Sequence, residues 1–253
     1  PPEWHDACQA GIFTEFQEQR TPGHTALGEK IFEKGFLDLK LEIAAARAAL
    51  DFERDPEALD KREELRAMDI AADAILIFAQ RHAEVLAALA VEHPDPQRAA
   101  ELRGMARICR RVPAHAPRTF HEALQCYWFV HVGVITELNP WDSFNPGRLD
   151  QHLWPFYQAD LAAGRLDEER ARELLQAFWI KFHNHPAPPK VGVTAEESGT
   201  YTDFTLINVG GVKADGTDAV NDLTFLILDV IEEMRLLQPG SMVQVSKKNP
   251  DRL

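Results

Sequence analysis

Cysteine is scarce in this chain, and the cysteines that occur follow no pairing pattern. The 253 residues contain only Cys8, Cys109 and Cys126, with no CxxC pair. A disulfide framework and a cysteine-based zinc site are therefore not expected. No apolar run reaches about 18 residues, so we expect no membrane-spanning segment and no membrane partner. No signal peptide is recognisable either, which makes the cytoplasm the expected compartment.

Basic charge and familiar catalytic motifs are missing as well. The chain has 27 lysines and arginines against 40 acidic residues, a formal net charge of −13. A surface that grips nucleic-acid phosphates needs a basic face, so we expect no nucleic-acid partner. There is no GxGxxG, P-loop, HExxH or GxSxG sequence, so no familiar catalytic motif indicates the chemistry.

Over most of the sequence, the apolar residues recur with the spacing of an α-helix. Apolar spacing predicts a helix over 25–50 and a second one, about 50 Å long, from Asp55–Pro56 to the EHPDP sequence. A capping box of Thr119 and Glu122 opens a helix that is apolar on nearly every side and therefore buried. Further helices are predicted over 97–111, 149–161, 167–184 and 220–237.

Two short β-branched runs, FTLINVGG and SMVQVS, flank the last of these helices and are predicted to be strands. Strand, helix, strand is the order typical of parallel β/α crossover units, whose sites are expected at the carboxyl ends of the strands. The sequence has no internal repeat and no inter-domain linker. It therefore predicts one α/β piece with a large helical portion.

Three segments carry the candidate binding residues. In ITELNPWDSFNPGRLDQHLWPFY, Trp141, Asp142 and Ser143 lie in a loop whose aromatic bulk predicts burial. Asp142 either accepts a hydrogen bond from a substrate hydroxyl or acts as a loop staple. Arg148 and Asp150 further along this segment are expected to form an ion pair.

The other two segments are polar turns beside predicted elements. QEQRTPGHT places Arg20 and His24 around a proline turn, where they suit an anionic or hydroxylated ligand or serve as a charged helix entry. GTYTDF brings Asp203 and Phe204 to the predicted strand. His183 and His185 form a His-x-His pair, which by itself indicates a loop more often than a metal site, and we predict no metal. Cys126 is expected to be a small core residue.

Together these segments resemble one family. RTPGHT with GEKIFEKGFLDLK, CRRVPAHAPRTFHEALQCYWFVHVGVI, WDSFNPGRLDQHLWPFY, GTYTDFTLINVGG and VQVSKKNP resemble the glycyl radical enzymes, in the pyruvate formate-lyase and glycerol dehydratase branch. The resemblance covers nearly all of residues 1–253, which it implies are a partial domain from a chain about three times longer. It implies part of a ten-stranded α/β barrel enclosing a radical site.

The resemblance also implies the chemistry and its participants. The chain binds no cofactor directly; a radical SAM activating enzyme installs a glycyl radical, which generates a thiyl radical on a cysteine beside a glutamate. That cysteine, the glutamate and the radical glycine are all expected beyond Leu253, so no catalytic residue is predicted here and the chain alone is expected to be inactive. A homodimer is implied for the full-length protein.

The substrate-contacting positions carried over from the family are Phe16, Arg20, His24, Trp141, Asp142, Ser143, Asp203 and Phe204. They predict radical elimination from a small hydroxylated substrate, with C–S or C–O cleavage. A hydroxyalkyl sulfonate losing sulfite is the sharper hypothesis and a diol losing water the broader one. Alternatives are C–C cleavage of the formate acetyltransferase type, a non-catalytic helical interaction module, and a mononuclear metal enzyme using His183 and His185.

Overall fold

The computed structural model describes residues 2–10, 27–137, 145–184 and 205–253. The chain divides into two compact units, one formed by 29–130 and the other by 1–28 with 131–253. All eight predicted substrate-contacting residues, together with His185, lie outside the described residues.

The elements within the described residues are mostly helical, as the sequence predicts. They follow in this order: α1 (Pro2–Gln9), α2 (Lys30–Glu33), α3 (Phe36–Ala48), α4 (Ala58–Glu92), α5 (Pro96–Arg111), α6 (Phe120–Glu137), α7 (Leu149–Ala162), α8 (Glu168–His183), β1 (Leu206–Gly210), α9 (Asp222–Met234) and β2 (Gly240–Gln244).

The unit formed by 29–130 is built on the long helix α4. Its 35 residues give a length of about 52 Å, close to the predicted length. The side of α4 that faces its neighbours is made of alanines, among them Ala79 and Ala83, which pack with Cys109 and Phe129 in one core cluster. Small side chains let α5 approach α4 closely, whereas α6 reaches α4 through the ring of Phe129, which lies edge-on to Phe78 with 5.9 Å between ring centroids.

The prediction of a single helix over 25–50 is wrong in one respect. The described part of that range forms two helices, α2 and α3, because Lys34 and Gly35 are extended between them. The first N–H groups of α3 donate to the carbonyls of Pro113 and Ala114, at 2.8 and 3.1 Å. The turn before α6 therefore caps α3, and Gly35 lies directly against it.

The helix ends show why the sequence locates most elements well. Asp95 accepts a hydrogen bond from the Gln97 N–H at the start of α5, as its position before Pro96 predicts. Thr119 Oγ1 accepts from the Glu122 N–H at 3.2 Å, whereas the Glu122 carboxylate accepts from the Arg118 N–H rather than from that of Thr119. Of the two hydrogen bonds that make up a capping box, only the one from the Glu122 N–H to Thr119 is therefore formed.

One helix bears on the prediction that no segment spans a membrane. By length and composition alone, α4 is apolar enough to cross a bilayer, the one such helix among the described residues. A single helix of this kind is weak evidence, and α4 packs against α3 and α5 along its alanine side.

The second unit contains the predicted parallel β/α crossover. β1 and β2 pair in parallel, with Leu206 opposite Gly240 and Gly210 opposite Gln244, and α9 connects them. Ile207 and Val209 of β1 are buried, as are Leu223 and Ile227 of α9. Both predicted strands and their direction are therefore confirmed.

Gly35 offers a direct test of the packing in 29–130. A Cβ at this position would lie 2.2 Å from Ala114 O and 2.3 Å from His115 Cα, both backbone atoms that cannot rotate away. We expect Gly35→Ala to lower the free energy of unfolding by about 3 kcal/mol or more, measured by urea titration of the helical circular dichroism signal.

Gly104→Ala in α5 is the matched control. The nearest heavy atom to a Cβ there is Arg107 Nη2 at 3.7 Å, an ordinary contact with a flexible side chain. Alanine should therefore raise stability by up to about 1 kcal/mol. Equal effects of the two substitutions would show that the turn before α6 does not pack on Gly35.

Candidate functional site

Two of the predicted segments, 141–143 and 203–204, are followed closely by residues that bond to each other. Asn145, two positions after the first segment, accepts a hydrogen bond at its Oδ1 from the N–H of Leu206, two positions after the second, at 2.7 Å. Arg148 then pairs with Asn208 as a parallel bridge. The segment 145–148 therefore runs beside β1 on the side opposite β2, and two of the three candidate segments adjoin the amino end of this strand.

Asp150 is the chemically most unusual residue of this region. It lies in the first turn of α7, and its side chain is fully buried. Asp150 Oδ2 accepts from the Gly210 N–H at 2.8 Å and from Thr224 Oγ1 at 2.6 Å, while Oδ1 accepts from the Gln151 N–H at 2.9 Å. One carboxyl thus joins the start of α7, the end of β1 and the first turn of α9.

The expected ion pair between Arg148 and Asp150 is wrong. Arg148 is exposed, whereas the Asp150 carboxyl is buried and its hydrogen-bond donors among the described residues are neutral. The spacing of two residues at the start of a helix directs the side chains apart. Burial therefore raises the pKa of Asp150 above its ordinary value of 3.8, and the hydrogen bonds from Thr224, Gly210 and Gln151 oppose this only in part.

Thr224 is held in place for this contact by the cap of α9. Asn221 Oδ1 accepts from the Thr224 N–H at 3.2 Å, and Thr224 Oγ1 accepts from the Asn221 N–H at 3.0 Å. The threonine hydroxyl then donates to Asp150, so it acts as acceptor and donor at once. The sequence analysis missed both Thr224 and Asn145. The N-x-x-T sequence at 221–224 is the signal that could have revealed the cap.

The carboxyl end of β1 is closed by two glycines with positive φ. Gly210 and Gly211 have φ of 78° and 75°. A Cβ on Gly210 would lie 2.8 Å from Gln244 O, and one on Gly211 2.9 Å from Gln244 Oε1. Glycine is favoured at both positions because of the positive φ, and at Gly210 the backbone carbonyl of Gln244 also leaves no room for a Cβ.

The segment that follows β2 is fastened to the loop that follows β1. Asn249 Nδ2 donates to Gly211 O and to Asp218 Oδ1, each at 2.7 Å. Lys248 Nζ donates to Gly216 O. The SKKNP sequence therefore fixes how the chain leaves the sheet, and it leaves no free amide at Asn249 for a ligand.

The remaining candidates give no catalytic centre. Cys126 is buried, its thiol donates to Ile31 O at 3.4 Å, and burial raises its pKa to about 12. A thiol in this state is a core residue, as predicted, and a poor source of thiolate. No group of three potential metal ligands occurs among the described residues, which include His183 but not His185.

A parallel β/α unit whose first strand ends in a Gly-Gly turn is the kind of unit from which α/β barrels are built. The family model described as "Pyruvate formate lyase-like" matches residues 1–253. The chain therefore belongs to this family, the glycyl radical enzymes, and its fold is part of their α/β barrel.

Within this family, the chain is similar to relatives of more than one kind. It is 55% identical over 251 residues to the trans-4-hydroxy-L-proline dehydratase of Clostridioides difficile, covering 99% of this chain and 32% of the relative. It is 38% identical over 227 residues to an isethionate sulfite-lyase of Nitratidesulfovibrio vulgaris, covering 88% of this chain and 27% of the relative. The chain thus spans about a third of the length of these relatives.

Two solved structures of enzymes match the fold of this chain. The crystal structure of the Clostridioides difficile hydroxyproline dehydratase with trans-4-hydroxy-L-proline bound matches with a TM-score of 0.88, over 100% of this chain and 32% of that one. The glycerol-bound B12-independent glycerol dehydratase of Clostridium butyricum matches with a TM-score of 0.81 at 26% identity, over 100% of this chain and 32% of that one.

Asp150 should make the free energy of unfolding depend on pH. Because its folded pKa lies above the unfolded value, its contribution to stability is largest below about pH 4 and is lost as the pH rises through the folded pKa. Asparagine does not titrate. The unfolding free energy of the wild type, relative to Asp150→Asn, should therefore fall from pH 4 upward and level off above the folded pKa, as measured by urea titrations at a series of pH values.

A wild-type advantage that grows with pH would contradict the assignment. It would mean that the hydrogen bonds to the charged carboxylate outweigh the cost of its burial.

Proposed function

We propose that this chain forms a substrate-binding part of a glycyl radical dehydratase that removes water from trans-4-hydroxy-L-proline or a close analogue. The observation that carries the proposal is the 55% identity, over nearly the whole chain, to an enzyme of that name. The same relative has the matching fold with this substrate bound. From family resemblance, sulfite loss is the sharper hypothesis; the lower identity to the isethionate sulfite-lyase, 38%, supports water as the first candidate leaving group here.

The candidate residues suit such a substrate chemically. An arginine presents a planar fork of donors that matches a carboxylate, so we assign the substrate carboxylate to Arg20, with His24 as a second donor. Asp142 accepts a hydrogen bond from the hydroxyl or from the ring ammonium. Phe16, Trp141 and Phe204 exclude water from the ring, and Ser143 and Asp203 complete the polar contacts.

The hydrogen bond between Asn145 and Leu206 supports a single pocket for two of these segments. It fastens the chain just after 141–143 to the chain just after 203–204. Asp150 then fixes the rest of this segment to the other end of β1. We propose that these two contacts keep the two pocket walls in register while the substrate reacts.

The proposed reaction is an elimination. The glycyl radical, when present on the complete protein, would supply removal of one hydrogen atom from the ring carbon between the nitrogen and the hydroxyl-bearing carbon. The C–O bond then breaks, and hydroxide leaves as water with a proton from the ring nitrogen, which forms a C=N bond to the carbon that lost the hydrogen atom. The hydrogen atom returns to the carbon that carried the hydroxyl. We assign the thiyl cysteine, the glutamate and the radical glycine to the part of the relatives' length that this chain does not span.

The accompanying expectations belong to the same proposal. A radical SAM enzyme would activate the complete protein, which would be a cytoplasmic homodimer. Sulfite elimination from a hydroxyalkyl sulfonate is the second candidate, since isethionate sulfite-lyases of three further species are 34–36% identical over 227 residues.

A segment exchange tests the proposal on a complete enzyme. In a first chimera, residues 1–253 of this chain replace the aligned third of the Clostridioides difficile dehydratase. In a second chimera, they replace the aligned part of an isethionate sulfite-lyase. After anaerobic activation, the first chimera should dehydrate trans-4-hydroxy-L-proline within about tenfold of its parent. The second should lose sulfite release by about 100-fold or more. Sulfite release retained by the second chimera, with no dehydration by the first, would overturn the proposal.

Within the first chimera, Arg20→Ala tests the carboxylate contact. Removing one partner of a buried charge pair should lower kcat/KM by roughly 100-fold, but it should have little effect on a substrate analogue whose carboxylate is a carboxamide. Arg98→Ala is the matched control, since Arg98 forms an exposed pair with Glu101 on α5. An equal loss with substrate and carboxamide would remove Arg20 from this role.

A further inference from the structure

The two faces of β1 differ in their chemistry. Ile207 and Val209 are 0% and 2% exposed, on the face of the strand that α7 packs against. Successive residues of a strand point to opposite faces, so Asn208, which lies between them, points away from this helix. Asn208 is half-buried. The strand therefore carries a polar amide at the centre of the face that is turned away from the helices.

The neighbours of Asn208 in the sheet extend this face into a row. Met242 of β2 lies opposite Asn208 on one side, and Arg148 forms a parallel bridge with Asn208 on the other. Residues that lie opposite each other in neighbouring strands project to the same face of a sheet. Arg148 and Asn208 thus bring a guanidinium and an amide side by side, and we call these two residues the inner-face pair.

The side chains of the inner-face pair bind nothing among the described residues. Neither Arg148 nor Asn208 has a side-chain hydrogen bond or an ion pair there. Their backbone is nevertheless firmly held, because Asn145 fastens the chain to β1 just before Arg148 and Asp150 fastens it just after. The donors of the pair are therefore fixed in position and still unused, which is the arrangement of a preorganised binding site.

The barrel fold determines what surrounds the inner-face pair in the complete enzyme. In an α/β barrel the helices surround the strands, and the strand face turned away from the helices lines the interior. Arg148 is exposed in this chain, which spans 32% of the hydroxyproline dehydratase that it resembles. Once the barrel is closed, this guanidinium is enclosed. An enclosed cation without an anion costs much free energy, so an anion is expected beside it.

We propose that the inner-face pair binds a carboxylate inside the complete enzyme. The planar fork of Arg148 matches the two oxygens of a carboxylate, and the amide of Asn208 adds a further donor. The carboxylate comes either from an acidic side chain of the part of the enzyme that this chain does not span, or from the substrate, which Arg148 then shares with Arg20. The proposal rests on the barrel fold and does not depend on the leaving group.

Thermal unfolding of the first chimera, without activation, tests the proposal and distinguishes the two sources. If an acidic side chain is the partner, Arg148→Gln should lower the substrate-free unfolding midpoint by about 3 °C or more, because a buried carboxylate is left unpaired. If the substrate is the partner, the substrate-free midpoint should stay unchanged. In that case the rise in midpoint that trans-4-hydroxy-L-proline gives the unsubstituted chimera should be lost.

Three comparisons make the result specific to the inner-face pair. In the 253-residue chain alone, Arg148→Gln should change the midpoint by less than about 1 °C, because the carboxylate lies outside this chain. Asn208→Asp places a negative charge beside Arg148 that repels the incoming carboxylate, so it should reproduce the loss in the chimera. Arg103→Gln is the matched control, since Arg103 on α5 is exposed and has no partner among the described residues; it should have no effect.

A first chimera in which Arg148→Gln changes neither the substrate-free midpoint nor the response to substrate would overturn the proposal. So would an equal loss in the 253-residue chain, an equal loss from Arg103→Gln, or no loss from Asn208→Asp. Neither measurement requires dehydration. A chimera that depends on Arg148 but does not dehydrate trans-4-hydroxy-L-proline would therefore count against the proposed function and support the carboxylate site.

Discussion

The buried carboxyl of Asp150 is the contact on which the β/α unit depends. It binds the N–H of Gly210, the hydroxyl of Thr224 and the N–H of Gln151, and it does so without a cation among the described residues. Removing a carboxylate from water costs free energy. The hydrogen bonds by which Asp150 joins three elements offset part of that cost. β1, α7 and α9 are thereby held in one arrangement.

This arrangement is what gives the candidate site its geometry. Asn145 holds the amino end of β1, Asp150 holds its carboxyl end, and Asn249 ties the segment after β2 to the loop after β1. Polar side chains, each bound to backbone groups of a neighbouring segment, thus fix the strand along its length. In the proposed role, contacts of this kind would hold the substrate-binding segments rigid while a reactive intermediate exists.

The sequence predicted the elements well and the contacts between them less well. Caps and prolines located α5 within a residue, and β-branched runs located both strands, because these signals are local. The break at Gly35 escaped prediction because its cause is the turn at 113–115, far away in sequence. The pairing of Asp150 with Thr224 spans 74 positions and leaves no periodic trace. The substrate-contacting residues came from family resemblance, and their positions lie outside the described residues.

Amide hydrogen exchange at Leu206 and Gly210 measures the central contacts most directly. If the side chains of Asn145 and Asp150 bind these two N–H groups, both amides should exchange as slowly as those of the central β1 residues Ile207 and Val209. Exchange of Leu206 and Gly210 at the rate of an open chain, with Ile207 and Val209 still protected, would contradict the account. It would mean that the loop after 143 is not fastened to β1 and that the two proposed pocket walls are not held together.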